Sequence, residues 1–475
     1  MSNNAPSKRA TQRRVGAATV IGTTIEWYDF FIYGTAAGLV FSQLFFEPAG
    51  PQISLLLAFA SVGISFLFRP LGAFLAGHFG DRIGRRAILV ITLVGMGVAT
   101  TLIGLLPTYG AIGVAAPVML LLLRVLQGIS AGGEWGGAVL MAVEHAPQER
   151  RGIMGALPQI GVPLGMLLAS GVMALMTGVV SPGEAFVEWG WRVPFLISFI
   201  MIVVGYFVRR AVEESPVFEE IAERAEQTSV PIAVLLRTYW PLVILCALIF
   251  AGNNAAGYMT TGGFITSYAT DPSGPVGLGR TSVLLVVTAS AALWLVFTLA
   301  GGWLSDRIGR RSTYIIGYIL LMAAAFPLFL LADMGTTGSL FLGLAFFSVG
   351  LGLTYGPQAA WYSEIFPASI RFSGVSISYA LGAILGGAFS PLIAQALLQR
   401  TGGTVAISGY LIAMAIIGLV AALCLRDRQH IPLGIDHEAE QRRGAMRFGA
   451  LSKSFDGSPL TAPSGRDEVG QRPGN

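Results

Sequence analysis

Apolar stretches of about 20 residues or more follow one another along the whole chain, parted by short breaks of Gly, Pro and charge. Reading those breaks gives about twelve stretches, beginning near residues 16, 53, 87, 114, 153, 190, 240, 281, 312, 338, 372 and 404. As a helix, each is long enough to cross a hydrocarbon core of about 30 Å. Long runs without polar alternation argue against a transmembrane barrel. The pattern predicts an all-α membrane protein of about twelve transmembrane helices, with no soluble domain of any size between them.

Arginine marks every second connection: Arg13 and Arg14, Arg82 to Arg86, Arg150 and Arg151, Arg209 and Arg210, Arg307 to Arg311, Arg371, then Arg426 and Arg428. The other connections carry acids such as Glu47, Glu184, Glu188 and Asp271. Positive charge is retained inside, so the arginine-rich connections and both termini are expected to be cytoplasmic. Five regions follow: an N-terminal tail (1–14), a first six-helix bundle (15–212), a linker (213–237), a second bundle (238–425) and a disordered tail (426–475). Within the linker, Ser215 before Pro216 reads as the start of a surface helix.

Composition narrows the class. Hydrophobic residues make up 54% of the chain and charged ones 12%, against about a quarter charged in soluble domains. The lysines, Lys8 and Lys453, lie outside the apolar runs, which excludes a Schiff-base pump. Cys246 and Cys424 form no disulfide framework or metal spacing, and neither a metal site nor a cofactor is expected. The polar, basic first 14 residues lead into a span with no cleavage site, so a signal anchor is expected.

Two motifs recur across the middle of the chain. "GHFGDRIGRR" (Gly77 to Arg86) is answered by "GGWLSDRIGRR" (Gly301 to Arg311), and Glu144, Pro147 and Arg151 by Glu364, Pro367 and Arg371. Near-constant offsets mean a duplicated six-span unit, which places a transport site at the midplane between the halves. The first motif, with "GTTIEWYDFFIYG", "FLFRPLGAFLAGHFGDRIGRR", "RVLQGISAGGEWGGA" and "EWGWRVPFLIS", resembles the major facilitator superfamily over roughly residues 10–425. Within it, the chain is similar to the metabolite:proton symporters, which include shikimate, dicarboxylate and proline/betaine transporters. The resemblance implies two rocking six-helix bundles and coupling to protons. It also implies a cytoplasmic gate built from Gly77, Asp81, Arg82, Gly84, Arg85 and Arg86, with Asp306 and Arg307 as the second-half counterpart. Asp81 is suited to pair with arginines or to face a helix N-terminus, whereas the arginines alone would serve to set topology.

Charges at membrane depth are the candidate chemistry. Glu26 and Asp29 lie roughly 15–20 Å into the first span, on one helical face with Gly22 and Tyr33. Two acids so close repel in a low-dielectric site, and one of them can then hold a proton near neutral pH. Arg69, Arg124 and Glu134 are the other deep charges, all in the first half. The arginines either bind a substrate carboxylate or pair with the acids, and Arg69 alternatively braces the gate. Glu134 alternatively pairs across a tight helix contact made by Gly128, Gly132 and Gly136. In the second half, Asn253, Asn254, Tyr258 and Thr261, then Tyr355, Gln358, Trp361 and Tyr362, and Tyr379, suit hydrogen bonding to a small polar solute or serve as interhelical glue. The histidines lie near or beyond membrane ends, so no histidine relay is expected.

The leading expectation is a monomeric symporter of the cell membrane that takes a small organic acid inward with a proton. A proline or betaine carrier is the nearest rival, with a cage including Trp27, Tyr28 or Trp361 around a cationic head. A drug/proton antiporter comes next, and a non-transporting receptor last. No G-x-x-x-x-G-K-[ST] motif supports an ATP-driven pump, no metal cluster or nucleophile elbow supports an enzyme, and nothing supports nucleic-acid binding. The cargo and the proton stoichiometry stay open.

Overall fold

A computed structural model describes residues 8–83, 85–210, 231–261, 264–442 and 444–447. Because a lipid core offers the backbone no partners, each apolar run satisfies its own N–H and C=O groups as a helix. The first half holds α1 (Lys8–Ala36), α2 (Pro51–Ile83), α3 (Arg85–Leu105), α4 (Ala115–Glu144), α5 (Gln148–Val180) and α6 (Phe186–Phe207). The second holds α7 (Trp240–Thr270, outside the described residues at 262–263), α8 (Arg280–Ile308), α9 (Arg310–Ala332), α10 (Thr337–Ile365), α11 (Ala368–Thr401) and α12 (Val405–Cys424). The described residues contain no strand, only an isolated bridge between Leu425 and Met446. Exposed Leu122, Phe199, Ile319, Phe346 and Val420 form part of an apolar exterior suited to lipid.

The halves meet along two helix pairs, α5 with α8 and α2 with α11. The repeat maps α2 onto α8 and α5 onto α11, so the two pairs exchange under the internal two-fold. Glycine permits the close crossings. A Cβ on Gly152 would come within 2.4 Å of the Gly302 carbonyl oxygen, at the crossing of α5 and α8. Inside the first half, Cβ atoms on Gly128 and Gly132 would each fall 2.1 Å from a carbonyl oxygen of α2, at Ser65 and Arg69. This is the tight small-residue contact expected of that face.

Two helices are broken at matching places. α4 loses helical structure at Gly132–Gly133, and α10 at Gly356–Pro357, where proline has no N–H to give. Such paired breaks in corresponding spans point to the substrate region.

The chain ends differ from expectation. Helix α1 begins at Lys8, inside the expected 1–14 tail, and Gln12 Nε2 donates to His145 O at 3.0 Å. Of the expected linker, residues 213–230 lie outside the described residues, and Pro231–Thr238 is a short helix. The expectation of a disordered tail from 426 does not hold for the residues up to 447. They form a strap across the arginine-rich face, because its buried polar groups have partners there. Arg428 donates to Ile365 O at 3.0 Å, Gln441 Oε1 accepts from Ala368 N at 2.8 Å, and Arg371 donates to Leu433 O at 2.9 Å. The strap also reaches the first half, where Arg151 donates to Ile431 O at 2.8 Å.

Candidate functional site

Glu26 and Asp29 sit on α1 as the sequence requires, but they have different neighbours. Asp29 faces α3 and α6, accepting from Thr100 Oγ1 at 2.9 Å and Ser198 Oγ at 2.6 Å. Glu26 instead points between the halves. It lies 4.0 Å from Arg69 Nη2, and its charge reaches Tyr258, Tyr355 and Tyr379 of the second half. The two carboxylates of the expected pair thus have different partners, since a three-residue step turns successive side chains apart by about 60°.

The two deep arginines also divide. Arg124 is spent within the first half: it donates to Gln127 Oε1 at 2.7 Å, Ser65 Oγ at 2.8 Å, Val62 O at 2.9 Å and Ser61 O at 3.3 Å. Its guanidinium lies 3.8 Å from the ring centre of Tyr33, whose hydroxyl bonds Ser61. Gln127 Nε2 donates to Thr100 Oγ1 at 2.7 Å, so a continuous hydrogen-bond chain joins Arg124 to Asp29. Arg69 is placed at the interface between the halves. Phe30, Phe66 and Trp27 surround its guanidinium at 4.3, 4.4 and 5.4 Å, and its Nε and Nη2 have no hydrogen-bond partner. Glu134 opens the second segment of α4, where free N–H groups favour a carboxylate.

Between the halves lies a narrow cavity with room for on the order of one water. Trp27 of α1 and Asn253, Asn254, Tyr258, Trp294 and Tyr355 of the second half line it. Trp27 Nε1, Tyr258 Oη and Trp294 Nε1 are buried without a partner, each at a cost of about 1–3 kcal/mol. Asn253 spends its amide protons on Leu351 O (3.1 Å) and Thr354 Oγ1 (2.7 Å), and Asn254 gives one to Ala383 O (3.4 Å), where α11 widens into a π-helical turn. Both asparagines are thus interhelical glue as well as cavity lining. Trp361 is not at the cavity: it lies beyond the α10 break, donating to Arg426 O at 3.3 Å. Tyr28 bonds Pro194 O at 2.8 Å, so of the aromatics offered for a cage, Trp27, Tyr28 or Trp361, it is Trp27 that lines the cavity.

A polar and aromatic layer closes the cavity toward the arginine-rich face. Trp135 stacks on Tyr379 at 3.8 Å, and Tyr379 on Phe250 at 4.3 Å. Gln159 takes a hydrogen bond from Trp135 Nε1 at 2.9 Å and donates to Gln358 Oε1 and Tyr355 O, both at 3.2 Å. Gln159, Trp135, Trp294, Thr100 and Gln127 are the residues that sequence reasoning missed. On the opposite side, Thr177 and Thr281 hydroxyls meet at 3.2 Å across the halves.

At the arginine-rich face the repeated motifs interlock. Arg371 approaches Glu144 at 3.6 Å and Arg151 approaches Glu364 at 4.0 Å, each arginine meeting the acid of the other half. Asp306 accepts from the N–H groups of Gly152 (2.7 Å) and Ile153 (2.9 Å) at the start of α5. Arg310 donates to both oxygens of Glu364 at 3.2 and 3.0 Å and to Asp306 at 2.6 Å. Arg310, not Arg307, is the arginine in this cluster, since Arg307 is exposed and stacked on Trp303 at 4.0 Å. In the first copy, the side chains from Gly77 to Arg86, Asp81 among them, lie outside the described residues, as does that of Thr261.

The family model described as Major Facilitator Superfamily matches residues 19–384 and 276–455. The chain is 40% identical over 424 residues to the inner membrane metabolite transport protein YhjE of Escherichia coli (strain K12), covering 88% of this chain and 95% of that one. It is 37% identical over 428 residues to the shikimate transporter of the same organism, at 88% and 95% coverage. The proline/betaine transporter of that strain is 32% identical over 431 residues, at 89% and 85% coverage. Among solved structures, the proton:xylose symporter XylE superposes with a TM-score of 0.69 at 18% identity, covering 88% of this chain and 95% of that one.

Proposed function

The chain belongs to the major facilitator superfamily, and from that premise we propose that it imports a small organic acid together with a proton by alternating access. It is a multi-pass membrane transporter of metabolites and not an enzyme. One observation carries the finer reading: Arg69 holds Nε and Nη2 without a hydrogen bond, with Glu26 4.0 Å from Nη2, near the unpartnered donors Trp27 Nε1, Tyr258 Oη and Trp294 Nε1. A guanidinium with such donors around it suits an anion rich in oxygen, such as the acid named for the shikimate relative.

Coupling follows from competition for one cation. Ionised Glu26 occupies Arg69; protonated, it loses its charge and leaves the guanidinium to the substrate carboxylate. Substrate binding and proton binding then favour each other, as linkage requires. The arginine-rich face is read as cytoplasmic, with the Glu364, Arg310 and Asp306 cluster as its gate. A second reading rests on the aromatic lining of Trp27, Tyr258, Trp294 and Tyr355, which also suits the cationic head of a betaine.

The test is uptake of labelled shikimate and of labelled betaine into vesicles under an imposed pH gradient, for the wild type and Glu26→Gln. Shikimate accumulation that a protonophore collapses, and that Glu26→Gln loses while keeping exchange, is expected. Accumulation indifferent to the protonophore removes proton coupling; uptake of betaine alone selects the second reading.

A further inference from the structure

The arginine-rich face carries a second polar pocket, far from the cavity, lined by Arg311, Arg426, Asp427 and Arg447. We propose that it binds the phosphate of an anionic phospholipid headgroup. Arg311 lies in the first turn of α9, and Arg426 and Arg447 stand on the two arms of the strap. The arms are tied by Arg426 N to Ala445 O at 3.1 Å and Arg447 N to Cys424 O at 2.8 Å, which brings residues 21 positions apart in sequence to one place. Asp427, the acid in the lining, is engaged at the start of α9. Its Oδ1 accepts from Arg311 N at 2.9 Å, capping α9, and its Oδ2 lies where a Cβ on Gly309 would come within 2.6 Å.

Three guanidiniums against one carboxylate leave a net positive charge, and Arg311 Nε is buried without a partner. Forked guanidiniums match phosphate oxygens better than any neutral ligand. The depth fits a lipid. Exposed Ile308 and Leu423 and the Trp303–Arg307 stack lie beside the pocket in the chain, the arrangement of a helix end at the headgroup level. Basic pockets between spanning helices are recognised by phospholipid headgroups for the same reason. Free inorganic phosphate offers the same chemistry without the acyl chains.

Native mass spectrometry of the purified full-length protein with phosphatidylglycerol, phosphatidylcholine or inorganic phosphate tests this. Wild type is expected to retain phosphatidylglycerol over phosphatidylcholine, and Arg426→Gln with Arg447→Gln to weaken that retention on the order of 25-fold. Asp427→Asn, which keeps an acceptor for Arg311 N and removes a negative charge, is expected to strengthen it, and it decides the matter should the double variant not fold. Millimolar phosphate that leaves the lipid bound identifies the lipid as occupant. Phosphate that displaces it from the wild type, and fails to bind the double variant, upholds the phosphate site with the free ion in it. Equal retention of both lipids by the wild type, unchanged retention in the double variant, or no gain in Asp427→Asn overturns the proposal.

Discussion

Asp29 is held by two hydroxyls and wired through Thr100 and Gln127 to Arg124, whereas Glu26 meets Arg69 between the halves. Asp29→Asn is therefore expected to abolish proton-driven accumulation while leaving counterflow exchange partly intact. Gln127→Leu, which cuts the chain but keeps every charge, should lower accumulation less than Asp29→Asn does. Equal accumulation in Asp29→Asn and wild type, measured in vesicles, would remove Asp29 from the mechanism. The charges were legible in the sequence because an ionisable group in an apolar run has few innocent explanations. Gln159, Trp135 and Trp294 were not, since single polar residues are common in such helices and their partners lie far off in the chain. Arg69 lies beside Glu26, one of the roles its depth in the chain left open, on a helix that runs on to Ile83, past its apolar stretch.

At the scale of elements, the crossing of α2 and α4 depends on the absence of side chains. Gly128→Ala puts a methyl 2.1 Å from the Ser65 carbonyl oxygen, a backbone atom that cannot swing aside. A loss of about 1–3 kcal/mol is expected, read as a lower Tm of the purified protein in detergent. Gly171→Ala, whose Cβ meets nothing within 4 Å, should leave Tm unchanged and serves as the control. Spans are readable from hydropathy because membrane thickness fixes their length. The breaks in α4 and α10 are harder to read, as glycine and proline are frequent in spanning helices without interrupting them. The break goes with the place of Trp361 outside the cavity: the second segment of α10 starts afresh at Gln358 and carries Trp361 to the strap.

On the scale of the molecule, several contacts join the two halves at the arginine-rich face, and Glu364 serves Arg310 of its own half and Arg151 of the other together. Glu364→Gln leaves Arg151 buried without its acid and Arg310 with Asp306 alone; breaking a buried pair from one side costs about 3–5 kcal/mol. Hydrogen–deuterium exchange should then quicken at residues 148–153 and 302–310, the segments that this cluster joins; unchanged exchange would show that the cluster does not hold the face closed. The strap escaped sequence reading because its Gly, Pro and charge content is that of a disordered tail, and only the carbonyls and amides it meets on folding give it a place.

The reciprocal pairs, Glu144 with Arg371 and Arg151 with Glu364, have the form of an isologous contact, in which a surface recognises a copy of itself. Two separate copies of one six-helix unit would make the same pairs. A true symmetric dimer, however, would have to present Glu26 and Arg69 twice, crowding two cations and two acids around one small cavity. Joining the copies in a single chain lets one half do without those charges and keep the aromatic and amide lining, so the asymmetry of the site is a product of covalent fusion.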